Sequence, residues 1–113
     1  MSEIIVVASF IAKPGKEREA EEFLADLLDE THNEDGCLLY ALNRGLEDPR
    51  RLVYVERWEN RPLLDKHLNS AHIQTALSRV GEFFSATPDI VYYEERPGGH
   101  PDKGSISGHA VGV

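Results

Sequence analysis

The chain is poor in the residues that mark several common classes of protein. Cys37 is the single cysteine among 113 residues, so an internal disulfide is excluded and a cytoplasmic location is expected. Basic residues are also scarce, because 12 Lys and Arg stand against 20 Asp and Glu, a formal charge of −8. Nucleic acids and anionic membranes attract clustered basic side chains, so we expect neither as a partner. We also expect no leader peptide and no membrane span, since no apolar run approaches the necessary length.

The signatures of common catalytic and cofactor sites are missing as well. The chain has no GxSxG nucleophile motif, no glycine-rich phosphate loop followed by Lys and Ser/Thr, and no dinucleotide fingerprint. His67 and His72 are five residues apart, which places them about 140° apart around an unbroken helix. A helix break at Ser70 would bring them closer, but no third metal ligand is evident beside them. We therefore expect no metal and no cofactor.

What the chain does contain is a regular succession of strand and helix patterns. Four runs rich in apolar and β-branched residues predict strands, at residues 4–12, 37–44, 51–58 and 90–95. The segment KEREAEEFLADLLDETH, residues 16–32, has apolar residues at helical spacing and predicts one amphipathic helix. A second helical region follows Asn60, which can cap it, and is interrupted near Ser70, which could cap a further segment.

This order of elements predicts an α+β fold of the ferredoxin-like split β-α-β-β-α-β type, with helices on one face of an antiparallel sheet. A single domain of this size buries less than roughly 70% of the surface of its unfolded chain, so association would add burial. The first and last strands would leave Val, Ile and Tyr side chains in water on the other face, which usually marks an interface. We therefore expect a homodimer in which two sheets pack as a dimeric α+β barrel.

The composition divides the chain near residue 96. Residues 1–96 are predicted to form the folded domain, and residues 97–113 a Gly-rich C-terminal arm containing five glycines. Two interpretations of the arm stay open. Either it packs on the partner subunit, or it is held only by incidental contacts.

The candidate functional residues lie near the end of the third predicted strand. Side chains alternate between the two faces of a strand, so every second residue shares a face. In the third strand one face carries Tyr54, Glu56 and Trp58, and in the second strand one face carries Leu38, Tyr40 and Leu42. If these faces point toward the helices, Trp58 would meet His67 or His72 around a partly apolar space suited to a small aromatic ligand. The alternative is that Trp58 fills the core and His67 covers the seam between helix and sheet.

These residues and their spacing resemble the antibiotic biosynthesis monooxygenase (ABM) family, its small quinol-oxidising members in particular, over residues 3–96. The resemblance rests on short motifs in a fixed order, namely Lys13-Pro14-Gly15, Gly36-Cys37, Tyr40, VERWEN at 55–60, His67 and NSAH at 69–72. It implies a dimeric barrel with a pocket between sheet and helices in each subunit. It also implies oxidation of a phenolic or hydroquinone substrate to a quinone by O2, without metal, flavin or haem.

The resemblance also implies roles for individual residues. His67 and Trp58 are the catalytic candidates, and the substrate-binding candidates are Tyr54, Tyr40, His72 and Glu56. A histidine suits proton transfer near neutral pH, and aromatic rings can stack on the substrate. Glu56 has a structural alternative, which is pairing with an arginine or capping a helix.

Two positions depart from particular branches of the family. Haem-degrading relatives carry an Asn in the first strand near the position of Ala8, and some polyketide-quinone members carry an Asn at the position of Tyr54. The alternatives that stay open are a non-catalytic dimer that binds small aromatics, a haem-binding or haem-degrading protein, and an isomerase.

Overall fold

The computed structural model describes residues 3–107, and a four-stranded antiparallel sheet forms its centre. The strands are β1 (Ile4–Ile11), β2 (Cys37–Arg44), β3 (Arg51–Trp58) and β4 (Asp89–Tyr93). They lie in the order β2-β3-β1-β4, so β1 and β3 occupy the middle of the sheet. In this register Val6 of β1 lies opposite both Glu56 of β3 and Tyr92 of β4. The predicted ferredoxin-like α+β fold is confirmed.

Short helices pack against one face of this sheet. Within residues 3–107 they are α1 (Glu17–Ala25), α2 (Leu28–His32), α3 (Arg61–Leu68), α4 (Ala71–Leu77) and α5 (Val80–Phe83). The single helix predicted over residues 16–32 is therefore two helices, although Ala20, Leu24 and Thr31 of its apolar side are all buried as expected. No helix in the described part of the chain is both long enough and apolar enough to cross a membrane.

The core lies between the helices and alternate residues of the strands, and its centre is aromatic. Tyr54 stacks on Tyr40 with ring centroids 4.4 Å apart and meets Phe10 edge-on at 5.7 Å. Leu24 of α1 and Leu64 of α3 are almost fully buried against this group. The apolar face of the helices and the inward face of the strands therefore form one continuous core.

The start of β2 departs from strict alternation. The register with β3 shifts between Cys37, which lies opposite Trp58, and Leu39, which lies opposite Arg57. The additional residue, Leu38, is 42% exposed, whereas Cys37 packs against the core. The prediction that Leu38 shares the face of Tyr40 is wrong, because a β-bulge inserts one extra residue at this point.

A glycine turn leads into β2 and brings α3 close to the sheet. Gly36 has φ +83°, a conformation that L side chains rarely adopt. A Cβ atom at Gly36 would lie only 2.6 Å from Cβ of Leu63 in α3. The turn before β2 and the first part of α3 therefore approach each other too closely for any residue but glycine.

The described part of the C-terminal segment lies beside the sheet of its own chain. Residues 102–106 border a groove together with Leu38, Leu39 and Arg57, and the Ser107 backbone N–H donates to Glu95 Oε2 at 2.9 Å. The division at residue 96 and the packing of the arm on a partner stay predictions. Residues 108–113 of that arm lie outside the described residues.

Candidate functional site

A small cavity with apolar walls lies between the sheet and the helices. Its volume is about 80 Å³. Val6, Ala8 and Phe10 of β1 contribute to the wall on the sheet side, and Leu64, Ile73 and Ala76 contribute on the helix side. Polar side chains in the interior of its lining are Tyr40, Tyr54, Glu56 and His67. Leu77, Ile90 and Tyr92 also line the cavity, and at 38–43% exposure they form its mouth.

His67 is the imidazole of this cavity. Asn60 begins α3 by accepting a hydrogen bond from the Leu63 N–H, and His67 lies in the last turn of the helix with 3% of its surface exposed. Its Nδ1 lies 2.7 Å from Glu34 Oε1. Burial lowers the pKa of His67, and the nearby Glu34 carboxylate opposes that shift. A neutral ring donates its Nδ1–H to Glu34, which leaves the lone pair on Nε2.

His67 Nε2 is the ring nitrogen left for a ligand in the cavity. Among the described residues, His67 Nε2 makes no hydrogen bond, yet no fully buried side-chain nitrogen or oxygen lacks a partner. His67 also lines the cavity, so the open volume is where Nε2 can reach a ligand. A carboxylate that orients a histidine, whose second nitrogen faces a pocket, is the arrangement of an activated general base.

Glu56 brings a carboxyl group into the same cavity. It is 4% exposed, and its Oε1 accepts a hydrogen bond from Trp58 Nε1–H at 2.8 Å. Burial raises the pKa of Glu56 to about 7; the Trp58 hydrogen bond opposes this rise, and the charge of Glu34 adds to it. Arg57, the arginine next to Glu56 in β3, pairs with Glu3 rather than with Glu56. A buried carboxyl that titrates near neutral pH in a cavity is a candidate for proton transfer.

Trp58 occupies a different place from the one its position in the sequence suggests. It is fully buried and is not part of the cavity lining. The His67 ring lies against the indole with centroids 4.4 Å apart. The expectation that Trp58 walls the ligand space is wrong, because the imidazole lies against the indole and it is His67 that lines the cavity. Trp58 instead supports His67 and holds Glu56 through its N–H.

Tyr40 and Tyr54 form the polar floor of the cavity. The Tyr54 hydroxyl donates to the Leu24 carbonyl oxygen at 2.5 Å. Burial raises the pKa of both tyrosines, and the hydrogen bond between their hydroxyls raises the pKa of Tyr40 further. Both phenols therefore stay protonated and can act on a ligand by stacking and by hydrogen bonding, but not as bases.

His72 lies behind His67 rather than in the cavity lining. The helical structure is interrupted between α3 and α4. There the Ser70 hydroxyl donates to the His67 carbonyl oxygen at 2.6 Å instead of capping α4. The His72 Nε2 atom lies 3.1 Å from Thr31 Oγ1 and 3.3 Å from Glu34 Oε1. The structure thus brings His72 beside His67, but it separates His72 from the ligand space.

Glu34 is the residue that the sequence analysis missed. Glu34, His67 and His72 each offer one potential metal-ligand atom, and the three atoms all lie within 4.8 Å of one another. Glu34 lies in the turn before β2, and β2 pairs antiparallel with β3, so the start of β2 must lie beside Trp58 at the end of β3. That topological argument was available from the sequence and would have placed Glu34 near the site.

Comparison with known proteins identifies the family. A family model described as "Antibiotic biosynthesis monooxygenase" matches residues 3–79. Similar proteins include "Putative monooxygenase Rv0793" of Mycobacterium tuberculosis, 32% identical over 84 residues that cover 74% of this chain and 82% of the relative. "Putative monooxygenase YcnE" of Bacillus subtilis is 30% identical over 95 residues that cover 80% of this chain and 97% of the relative.

The solved structures agree with this result. A conserved protein from Methanosarcina mazei Go1 matches with a TM-score of 0.79 and 31% identity, over 85% of this chain and 95% of that chain. Protein SO0527 from Shewanella oneidensis matches with a TM-score of 0.79 and 32% identity, over 83% and 91% of the two chains. The relatives' names support a monooxygenase-like function. The chain belongs to the antibiotic biosynthesis monooxygenase family.

Proposed function

We propose that this protein is a cofactor-independent monooxygenase that oxidises a small phenolic or hydroquinone-type aromatic to a quinone with O2. The observation that carries the proposal is the cavity itself. Its walls are apolar, and two groups that can transfer a proton line it, His67, whose pKa burial lowers, and Glu56, whose pKa burial raises to about 7. Apolar walls with a few oriented polar groups are what an aromatic substrate requires.

The first step of the proposed reaction is removal of the substrate's hydroxyl proton. His67 Nε2 accepts this proton, and Glu34 holds the ring through Nδ1 so that Nε2 keeps its direction. Glu34 is in this sense a positioning residue. The imidazolium that forms is stabilised by the same carboxylate, as in other carboxylate–histidine pairs.

The second step is reaction of the phenolate with oxygen. Ground-state O2 is a triplet, so it reacts slowly with a closed-shell phenol but accepts one electron from the electron-rich anion. The resulting radical pair combines to form a C–O bond on the ring. Cleavage of the O–O bond then leaves one oxygen atom in the quinone, and the other departs as water with the hydrogens of the ring carbon and the hydroxyl. The apolar walls exclude bulk water from the reduced oxygen species.

Glu56 binds the oxygen atoms of the substrate. With a pKa of about 7 its carboxyl is available in protonated form near neutral pH, and it can then donate a hydrogen bond to an anionic oxygen. Trp58 occupies Oε1, which leaves Oε2 for a hydrogen bond to the substrate. The stacked Tyr40 and Tyr54 rings provide a flat aromatic surface beside it.

The size of the cavity favours single-ring substrates. About 80 Å³ is smaller than the ~150 Å³ of a protein cavity that holds benzene, so any aromatic substrate must displace side chains. Leu77, Ile90 and Tyr92 at the mouth are partly exposed and can move at the lowest cost. A haem does not fit this volume, and Ala8 in the cavity wall lacks the amide of the haem-degrading relatives.

The proposal includes a homodimer with the two sheets packed face to face. The face of the sheet away from the helices carries a row of apolar residues across all four strands, Ala41, Val55, Val7 and Val91. Each of them is only partly buried within one chain. A second copy of the same face would cover this row, because a closed two-fold contact requires a self-complementary surface.

The experiment is an oxygen-uptake screen with chelator-treated protein and a panel of phenols and hydroquinones of one and two rings. We expect turnover of single-ring substrates, and a loss of about 100-fold or more in kcat for His67→Gln, the usual scale for a general base. His100→Gln is the matched control, because His100 is exposed and far along the chain from the site. Turnover no faster than buffer, or His67→Gln equal to the wild type, would refute the proposal.

A further inference from the structure

We infer that Glu34, His67 and His72 bind a divalent cation of the zinc type, and that the bound cation switches His67 from a proton acceptor to a hydrogen-bond donor. The binding half stands on the geometry of the three side chains. The switching half rests on the proposed function, because it concerns the nitrogen that faces the cavity.

The three candidate ligands come from three different elements that meet behind the cavity. Glu34 lies in the turn after α2, His67 in the last turn of α3, and His72 in the first turn of α4. His67 Nδ1 and His72 Nε2 lie 2.7 Å and 3.3 Å from the same atom, Glu34 Oε1. Tetrahedral zinc, with ligands at about 2.0–2.2 Å, separates neighbouring ligand atoms by about 3.3–3.6 Å. Small side-chain rotations would therefore open the cluster to that geometry.

The contacts of the cluster bring both imidazoles onto one carboxylate oxygen. His67 Nδ1 and His72 Nε2 both face Glu34 Oε1, whose negative charge would attract a cation placed between them. His72 Nδ1 lies 3.0 Å from Glu30 Oε2, which would hold the ring of a metal-bound His72. Thr31 Oγ1 lies 3.1 Å from His72 Nε2, so a cation would take the place of this contact.

The surroundings of the cluster are those of a metal site rather than of a closed core. Glu30 would be the outer carboxylate that accepts the second N–H of a metal-bound histidine, a contact that fixes the ring and raises its basicity. The side chains of Glu34 and His72 are 18% and 12% exposed, and that of Glu30 is 68% exposed, so an ion can enter from solvent. Three protein ligands with one open position are typical of an exchangeable site rather than a structural one.

A cation at this point changes which His67 nitrogen carries the hydrogen. Without the cation, Nδ1–H donates to Glu34 and the Nε2 lone pair faces the cavity. A cation on Nδ1 displaces that hydrogen, and a neutral ring then carries its hydrogen on Nε2. His67 can still donate a hydrogen bond to a ligand, but it can no longer accept the substrate's proton. Cation binding would therefore stop turnover without blocking the cavity.

The binding test uses the full chain after treatment with a chelator. Zinc is titrated by calorimetry, and cobalt is titrated by visible absorption, which reports its coordination geometry. We expect one equivalent per chain, a tetrahedral cobalt spectrum, and at least about a tenfold loss of affinity in both Glu34→Gln and His72→Gln. His100→Gln should bind as the wild type does. Circular dichroism and thermal unfolding establish that each variant is folded.

Each outcome of the binding test decides the question. Absence of zinc binding in the folded wild type, or unchanged affinity in folded His72→Gln, would overturn the site. If Glu34→Gln does not fold, His72→Gln serves as the second variant. The His72 side chain is 12% exposed against 4% for His67, so replacing His72 disturbs the core less.

The switching test measures oxygen uptake with increasing zinc. We expect inhibition of the wild type and of His100→Gln, reversed by chelator. In His72→Gln, inhibition should need at least about tenfold more zinc, relative to that variant's own zinc-free rate. Zinc binding without inhibition would overturn the proposed switch, but the proposed zinc site would stand. If the protein has no turnover with any substrate, the proposed function fails while the calorimetric result on the site still stands.

Discussion

At the scale of single residues, Trp58, Glu56 and His67 pack as one unit in which the indole lies outside the cavity. Its N–H fixes the carboxyl of Glu56, and its ring supports His67. The period of two along β3 was enough to place Tyr54, Glu56 and Trp58 on the same face. It could not distinguish a residue that lines a cavity from one buried beneath it, because that depends on where the helices lie.

Trp58→Phe tests whether the indole acts by holding Glu56 and supporting His67. The substitution leaves Glu56 Oε1 without its buried donor, and an unsatisfied buried polar group costs about 1–3 kcal/mol. The free energy of unfolding in urea should fall by that amount, and the pKa of Glu56 should rise, because the hydrogen bond lowers it. The Michaelis constant should change less than kcat, since Trp58 lies outside the cavity. A large rise in the Michaelis constant at unchanged stability would assign Trp58 to the substrate instead.

Glu56→Gln tests the raised pKa through stability. The pKa of Glu56 is about 7 in the folded protein against its ordinary value of 4.5, so between these pH values the folded state binds more protons than the unfolded chain. Stability contributed by Glu56 is therefore lost as pH rises through this window, by up to about 3 kcal/mol. Urea unfolding at about pH 5 and about pH 8 should show a smaller decline for Glu56→Gln than for the wild type. Parallel declines would contradict a buried, titrating Glu56.

At the scale of elements, the turn at Gly36 positions both Glu34 and α3. The spacing of apolar residues over 16–32 predicted a helix and its buried side, but it did not indicate the interruption between α1 and α2. Leu24, Leu27 and Leu28 continue the same spacing across the tight turn in which the Leu27 N–H donates to Leu24. The bulge at Leu38 was hidden for a similar reason, because a run of apolar residues fits either register.

Gly36→Ala tests the close approach of the turn to α3, with Gly15→Ala as the matched control. Both glycines have φ near +80°, but a Cβ at Gly15 meets nothing within 4 Å, whereas one at Gly36 meets Leu63 at 2.6 Å. Gly15→Ala should therefore cost only the backbone strain, about 1 kcal/mol, and Gly36→Ala should cost at least about 1 kcal/mol more. Equal losses in urea unfolding would show that α3 can move away from the turn at no cost.

At the scale of the whole molecule, the sheet has two faces with different tasks. The helix side holds the cavity, and the outer side carries the row of Ala41, Val55, Val7 and Val91. Element order and alternation were sufficient to predict the fold and to identify the outer face as unusual. The pairing of β2 with β3 follows from the same order and places Glu34 near the end of β3, but the contact between Glu34 and His67 depends on how α3 packs.

Val55→Lys tests the proposed dimer. A lysine in the middle of the outer row would place a charge in a buried interface, so we expect the dimer to dissociate to monomers in light scattering after size-exclusion chromatography. Leu46→Lys is the control, because Leu46 is 99% exposed in the turn between β2 and β3. A monomeric wild type, or a Val55→Lys variant that stays dimeric, would contradict face-to-face packing of the sheets.

The proposed chemistry makes one direct isotopic prediction. Chelator-treated protein is supplied with a single-ring phenol under oxygen-18 gas, and the quinone is analysed by mass spectrometry. The account predicts one heavy oxygen atom in each quinone molecule and the other in water, with loss of labelled product in His67→Gln. A quinone without label, or labelled product formed equally well by His67→Gln, would contradict it.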